Sequence, residues 1–326
     1  MNFIKNLKHF SQIWYIGFSA QGGVGLGLAP IFLPLIVGRH QGASEAGIIV
    51  AMFYFAQTLS PAFGWLADKF NWHRQIYIAS YFLVGIGIGL FPLVPDMAFW
   101  FVMSFMLGLG IGAANTVAEL FIVEFQPESE WDKRISWLQM FFGVGQAVGL
   151  LLAFFFAHDA NFALYLAGIL MIPSLLIGLI QLPHIQKREP LKKTAENPGP
   201  THSRSYSSLI KHIHLIKHLK QLPDRMESGV QSMRHSLFML YITAWTCVML
   251  GNWLIYNLYP LLMSDVFSMN ASLSSLYFAI GAALAVPACP LSIWLVEKIG
   301  EPWVVLSGMI MSLVAGLGMS TLALFP

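Results

Sequence analysis

The sequence consists largely of apolar runs of about 20 or more residues, separated by short polar connections. A run of about 20 residues is what a helix needs to cross the hydrocarbon core of a bilayer. Backbone polar groups must be paired there, and the runs lack the alternation of barrel strands, so helices are expected. We predict nine spanning helices at about 12–38, 45–67, 76–95, 98–125, 135–157, 161–182, 236–264, 272–296 and 303–325.

The composition excludes an ordinary water-soluble protein. Of 326 residues, 56% are hydrophobic and only 10% are charged. Soluble domains average about 45–50% apolar and about 25% charged residues. A soluble protein with this composition would expose apolar patches that monomers rarely carry. We therefore expect an all-α integral membrane protein.

The positions of lysine and arginine predict the orientation. If the N-terminus is cytoplasmic, seven of the 18 Lys and Arg residues lie in short cytoplasmic segments, ten lie in the stretch 183–235, and only Arg39 lies outside. Cytoplasmic connections carry the excess of basic residues in multi-pass proteins. We predict a cytoplasmic N-terminus in the plasma (cytoplasmic) membrane.

The spans and the long connection divide the chain into three regions. These are an N-terminal six-helix transmembrane half at 1–182, a cytoplasmic linker at 183–235 and an incomplete C-terminal half at 236–326. The linker begins with a polar, Pro-containing composition typical of disorder. It continues as LIKHIHLIKHLKQL, which is compatible with a basic helix on the anionic inner leaflet. Metal binding by its three histidines is a weaker alternative to a solvated helix.

One short stretch occurs twice. SPAFGWLADKFN at 60–71 and CPLSIWLVEKIG at 289–300 align at an offset of 229 residues. Both are predicted at the cytoplasmic end of the second helix of their half, as in transporters built from parallel internal repeats. The matched pairs are Pro61 with Pro290, Trp65 with Trp294, Leu66 with Leu295, Asp68 with Glu297 and Lys69 with Lys298.

The first copy resembles the signature of the major facilitator superfamily, a loop between helices 2 and 3 that reads Gly-x-x-x-Asp-Arg/Lys-x-Gly-Arg-Arg/Lys. Gly64, Asp68 and Lys69 match its first part. The resemblance covers the chain through its topology and long central connection. It implies an all-α, MFS-type helical bundle with a six-helix N-terminal half and a partial, three-helix C-terminal half.

The second part of the motif departs from the family pattern. Asn71 replaces the second glycine and Trp72 replaces a basic residue, while the basic end is carried by His73 or Arg74. These departures leave the second part of the resemblance loose.

The resemblance also implies a gate. In such transporters the acidic residue at the position of Asp68 lies near the positive N-terminal end of a helix in the opposite half and holds the cytoplasmic side shut. The basic residues add charge pairing; the alternative is that Lys69 and Arg74 only set the topology. The implied gating set is Gly64, Asp68, Lys69, Arg74, Glu297 and Lys298.

One carboxyl lies well inside a predicted span. Glu119 is the candidate for coupling to protons or cations, because an unpaired carboxylate is costly inside a bilayer. An interhelical structural pair is an equal alternative. Ser104 stands where many family members have an arginine linked to proton handling, so coupling through that position is not expected.

Polar residues near the middle of the spans predict a solute cavity. The sequence places no Lys or Arg at mid-depth, which argues against a strongly anionic solute, while amides and aromatic rings suit a neutral or cationic amphiphile. Bridging between helices is the alternative role for each amide. The candidates are Gln57, Asn115, Gln146, Asn252 and Tyr256.

The resemblance implies a secondary transporter of a small organic solute that works by alternating access, with proton coupling left open. The alternative is a non-transporting scaffold, a receptor or an inactive fragment. The expected partners are the lipid bilayer and a small-molecule solute, without nucleic acid, cofactor or metal, and with a monomer when full length. An enzyme is not expected, because no nucleophile–base set or phosphate loop is found.

The repeat leads to one more expectation. Applied to the fourth to sixth spans, the offset predicts further sequence beyond Pro326, enough for three more spans. The chain is therefore expected to be truncated after its ninth helix.

Overall fold

The structure is a computed structural model that describes residues 11–182 and 267–324, with scattered positions between 243 and 263. The regular structure in these residues is helical. The helices are α1 Tyr15–Gly22, α2 Ala29–His40, α3 Ala43–Gln57, α4 Ser60–Phe70, α5 His73–Gly89, α6 Met97–Phe125, α7 Trp131–Phe155, α8 Ala160–Gln181, α9 Ala271–Ala285, α10 Ala288–Ile299 and α11 Glu301–Leu324.

Eight of the nine predicted spans lie on these helices. Among the described residues, seven helical stretches are long and apolar enough to cross a membrane. The predicted span at 236–264 and the linker at 183–235 lie largely or wholly outside the described residues. The described residues 11–182 and 267–324 belong to one compact unit. The three-region division proposed above stays a prediction.

The first span is one continuous rod of two kinds of helix. A π-helical segment, Gly23–Leu28, joins α1 to α2. Its sequence, GVGLGL, is rich in glycine, and Pro30 and Pro34 follow it inside α2. Each proline lacks the N–H that an α-helix would use, so regular hydrogen bonding is weakened there. π-helical turns occur often at functional sites, which directs attention to this part of the bundle.

The second span and its repeat are each broken near a proline. α3 ends at Gln57 and α4 starts at Ser60, while α9 ends at Ala285 and α10 starts at Ala288. Each predicted span is nevertheless present as one stretch long and apolar enough to cross a membrane, Ser44–Phe70 and Ser272–Ile299. Pro61 lies in the first turn of α4, where its missing N–H costs least.

The repeat is visible in the helices themselves. Shifting α3 and α4 by 229 residues places their ends within one residue of those of α9 and α10. The Lys69 ammonium lies 4.4 Å from the centre of the Trp65 ring, and that of Lys298 lies 4.0 Å from the centre of the Trp294 ring. The two copies therefore share a helix break and a cation–π pair as well as sequence.

Asn71 explains why the motif tolerates the loss of its second glycine. The residue has φ 56° and ψ 38°, the left-handed conformation that commonly ends a helix. The Trp72 N–H donates to the Ala67 carbonyl at 3.1 Å across this turn. Asparagine adopts this conformation more readily than other side-chain-bearing residues, so the turn is kept without glycine.

α6 and α7 organise the N-terminal half. α6 packs against α3 and α5, and α7 packs against the first span on one side and against α9 and α10 on the other. A Cβ added at Gly110 of α6 would lie 2.6 Å from the Ser80 carbonyl oxygen of α5. Small residues thus allow the backbones of neighbouring spans to meet, as is common in membrane bundles.

Candidate functional site

Three helices bring ionisable side chains together at one end of the N-terminal half. His73, the first residue of α5, is almost completely buried, with 1% of its side chain exposed. Its Nε2 lies 3.2 Å from Asp68 Oδ1 at the end of α4 and 3.3 Å from Glu124 Oε1 at the end of α6. The carboxylates are 65% and 30% exposed, respectively. We call these three residues the His73 cluster.

The basic residues of the motif make contacts within the same half. Lys69 lies over the Trp65 ring one turn earlier in α4. The Arg74 guanidinium donates a hydrogen bond to the Leu179 carbonyl near the end of α8. The motif therefore joins α4, α5 and α8 at this end of the bundle. The predicted latch between Asp68 and a helix of the opposite half stays a prediction.

The second copy of the motif makes its ionic contact between the halves. Glu297 of α10 pairs with Lys133 of α7, with 3.1 Å between Oε1 and Nζ. Both side chains are about half exposed, at 56% and 44%. Glu297 was predicted from its position in the repeat, but Lys133 was not predicted as its partner. Its charge next to Asp132 at the start of a span was the available signal.

Contacts between α7 and the second repeat extend along the whole helix. At the end opposite Lys133, the Ser272 hydroxyl donates to the Phe154 carbonyl at 3.3 Å. Halfway along α7, a Cβ on Gly143 would lie 3.6 Å from Val286, an ordinary van der Waals distance. Together with the Glu297–Lys133 pair, these two contacts run antiparallel along α7 between the N-terminal and C-terminal halves. We call this interface the inter-half seam.

A buried amide pair lies between the first and fourth spans. Gln21 is completely buried, and its Nε2 donates to Asn115 Oδ1 at 2.8 Å and to the Ile111 carbonyl at 3.2 Å. Its Oε1 has no hydrogen-bond partner among the described residues. Asn115 was among the predicted cavity residues and Gln21 was not. The position of Gln21 directly before a glycine-rich run was a usable signal.

Two other predicted cavity residues lie on helices that pack against these spans. Gln57 and Gln146 are both half-buried. A Cβ on Gly112 of α6 would come within 3.1 Å of the Gln57 backbone, and one on Gly27 within 3.1 Å of the Gln146 carbonyl oxygen. α3 therefore packs closely on α6, and α7 packs closely on the first span. The remaining candidates, Asn252 and Tyr256, lie outside the described residues.

Glu119 has an interhelical partner. It lies one turn after Asn115 in α6, and its Oε1 accepts a hydrogen bond from Gln139 Nε2 of α7 at 3.3 Å. Gln139 and Gln146 are seven residues apart and so share a face of α7. The structural alternative for Glu119 thus has a specific contact, while its coupling role stays a prediction. Ser104 is completely buried in α6.

Comparison with known proteins identifies the family. A sequence model of the Major Facilitator Superfamily matches residues 13–326. The chain belongs to this superfamily. The membership confirms the resemblance drawn from the loop around Asp68 and the expected all-α membrane fold.

Several members of the superfamily are similar in sequence. A putative metabolite transport protein of Bacillus subtilis (strain 168) is 28% identical over 187 residues, covering 54% of this chain and 40% of that protein. The niacin transporter of Acinetobacter baylyi (strain ATCC 33305 / BD413 / ADP1) is 24% identical, covering 45% and 34%. The galactose-proton symporter of Escherichia coli (strain K12) is 26% identical, covering 49% and 35%. The matches thus span less than half the length of these relatives.

A solved superfamily structure has the same fold. The crystal structure of a D-xylose-proton symporter superimposes with a TM-score of 0.58, covering 90% of this chain and 69% of that one at 15% sequence identity. At this identity the likeness concerns the fold alone. It supports a multi-pass helical membrane protein of the facilitator type.

Proposed function

We propose that the protein is a secondary transporter that moves a small, neutral, polyhydroxylated solute of the monosaccharide class by alternating access. The observation that carries this proposal is the buried Gln21–Asn115 pair, which joins the first and fourth spans. Gln57 and Gln146 lie on helices that pack against these two spans.

Amides suit such a solute because each offers both donors and an acceptor, as a sugar hydroxyl requires. The unpartnered Gln21 Oε1 is an acceptor already placed in a buried region. No Lys or Arg occurs between residues 75 and 132, so α6 offers no cation to a carboxylate solute. Relatives named for galactose and glucose transport support the same class.

The gate follows from the two copies of the motif. We propose that the end of the bundle with the His73 cluster faces the cytoplasm, and that Asp68 and Glu297 help to close that side. The N-terminus is then cytoplasmic, as the distribution of basic residues favours. Glu297 already reaches Lys133 of the other half. Rocking of the halves would break this contact and open a path to the amides.

Uptake by proteoliposomes that contain the protein tests the proposal. We expect uptake of at least one labelled monosaccharide among galactose, glucose and xylose, reduced about tenfold or more by Asn115→Ala or Gln146→Ala, since each removes a polar contact from the solute. Gln75→Ala is the matched control, because this glutamine is exposed at the start of α5.

Uptake of nicotinate but of no sugar would overturn the substrate class, and no flux of any solute would favour a scaffold over a transporter. Glu119→Gln keeps a group that can bond to Gln139 but removes the charge. If Glu119 couples the flux to protons, this variant loses the stimulation of uptake by a pH gradient. Unchanged stimulation leaves Glu119 as a structural pair only.

A further inference from the structure

The donor atoms of the His73 cluster suit a metal ion. Asp68, His73 and Glu124 each offer one ligand atom, and the three atoms lie within 4.8 Å of one another. An imidazole nitrogen with two carboxylate oxygens is a ligand set used by divalent first-row transition metals. Mg²⁺ and Ca²⁺ prefer all-oxygen sites, so they fit this set less well.

The distances from the His73 nitrogen to the two carboxylate oxygens also fit a tetrahedral zinc ion. Zinc ligands lie about 2.0–2.2 Å from the metal, so two ligands of a tetrahedral ion are roughly 3.3–3.5 Å apart. His73 Nε2 is 3.2 Å from one carboxylate oxygen and 3.3 Å from the other. A Zn²⁺ ion could therefore be bound after small movements of the two carboxylates.

The surroundings hold the histidine in place and leave one side accessible. His73 is buried against the Phe121 ring, with 6.4 Å between the ring centres, and lies two residues after the left-handed turn at Asn71. Asp68 is mostly exposed and Glu124 is partly exposed. A preformed, buried nitrogen with two accessible carboxylates allows an ion to enter from solvent, with water as its fourth ligand.

We propose that Asp68, His73 and Glu124 form a binding site for a divalent transition-metal ion, with Zn²⁺ as the reference ion. His73 Nε2, Asp68 and Glu124 are the ligands. The ion would link the end of α4, the start of α5 and the end of α6. The site does not depend on which solute the protein transports.

The His73 imidazole limits the affinity that we expect for the metal ion. His73 Nδ1 is buried without a hydrogen-bond partner among the described residues. In many metal sites this second nitrogen donates to a carboxylate or carbonyl, and loss of that contact weakens metal binding about 10–100-fold. We therefore expect reversible binding that a chelator removes, rather than a permanently bound ion.

Calorimetric titration of Zn²⁺ into purified, metal-free protein tests the site. The protein should carry no histidine tag, and His212, His214 and His218 should be replaced by glutamine, because the linker histidines are an alternative zinc site. We expect one Zn²⁺ per chain, and a loss of affinity of about tenfold or more in each of His73→Gln, Asp68→Asn and Glu124→Gln. His158→Gln, at an exposed position, is the matched control and should bind Zn²⁺ as the parent does.

Three results would overturn the proposal. These are no zinc binding by the parent, unchanged affinity in the Asp68→Asn and Glu124→Gln variants, and equally tight binding of Mg²⁺. The two carboxylate variants keep the test valid if His73→Gln does not fold, because Asp68 is exposed and Glu124 only partly buried. The d–d absorption spectrum of bound Co²⁺ gives a second readout, since it depends on the number and type of ligands. It should change in each of the three ligand variants and stay unchanged in His158→Gln.

Discussion

The two sides of α7 contact their neighbours in different ways. Towards the first span, a Cβ on Gly145 would overlap the Ser19 carbonyl oxygen, and one on Gly27 would lie 2.7 Å from the Gly149 Cα. Towards the second repeat, a Cβ on Gly143 would find an ordinary contact with Val286 at 3.6 Å. The first span and α7 thus pack backbone against backbone at these glycines, while the inter-half seam has room for a side chain at Gly143.

The acidic residues of the two motif copies also differ in whether they contact their own half or the other half. Asp68 contacts His73 in its own half, whereas Glu297 contacts Lys133 in the other half through two exposed side chains. Exposed ion pairs contribute only about 0.2–1 kcal/mol. The Asp68 contact has one buried partner and the Glu297 contact has none, so we expect the contact between the halves to break more easily.

The largest expected effect comes from two glycines of α7. Gly145→Ala should destabilise the protein by about 1–3 kcal/mol or more, because the methyl group meets backbone that cannot move aside. Gly143→Ala should change the stability little. Thermal unfolding in detergent measures both variants. Equal effects would show that the two sides of α7 are packed alike.

Hydrogen bonds provide the next comparison. Gln21→Ala removes a completely buried amide and leaves Asn115 without its donor, at a cost of about 1–3 kcal/mol. Ser272→Ala removes one longer contact of the inter-half seam and should cost less than about 1 kcal/mol. Chemical unfolding followed by tryptophan fluorescence measures both. A larger loss for Ser272→Ala would reverse the proposed order of the two interfaces.

A smaller effect is expected at the ion pair. Glu297→Lys places two ammonium groups together at the inter-half seam and should weaken the contact by about 1 kcal/mol or less. The double variant Lys133→Glu with Glu297→Lys should restore it, because the charges again attract. Disulfide cross-linking of cysteines introduced on α7 and α10, in a chain with Cys247 and Cys289 replaced, measures how often the contact is closed. No recovery in the double variant would mean that charge attraction does not hold this contact.

The smallest effect tests the symmetry of the two copies. Lys69→Met and Lys298→Met each remove a cation–π contact worth about 0.5–1 kcal/mol at an exposed site. We expect the two melting temperatures to fall by similar, small amounts. A change confined to Lys69→Met would show that this residue has a second role, as the gating prediction requires.

The sequence predicted what depends on the order of residues along the chain. Span positions follow from apolar runs, and the repeat follows from the offset between Trp65 and Trp294. It did not predict the pairing of Gln21 with Asn115, because that contact depends on how neighbouring helices cross, which hydropathy does not encode. Asn71 replaces the glycine of the motif but has the left-handed backbone conformation that glycine favours. Comparing residue types alone could not show this.

The glycine contacts between the first span and α7 and the ion pair at Lys133 should respond differently to ionic strength. Salt screens charges over about 8–10 Å at physiological concentrations, but it does not change the volume of a backbone atom. Concentrated salt should thus weaken the joint at Lys133 while α1 and α7 remain together. We therefore expect one interface that responds to the ionic surroundings and one that does not.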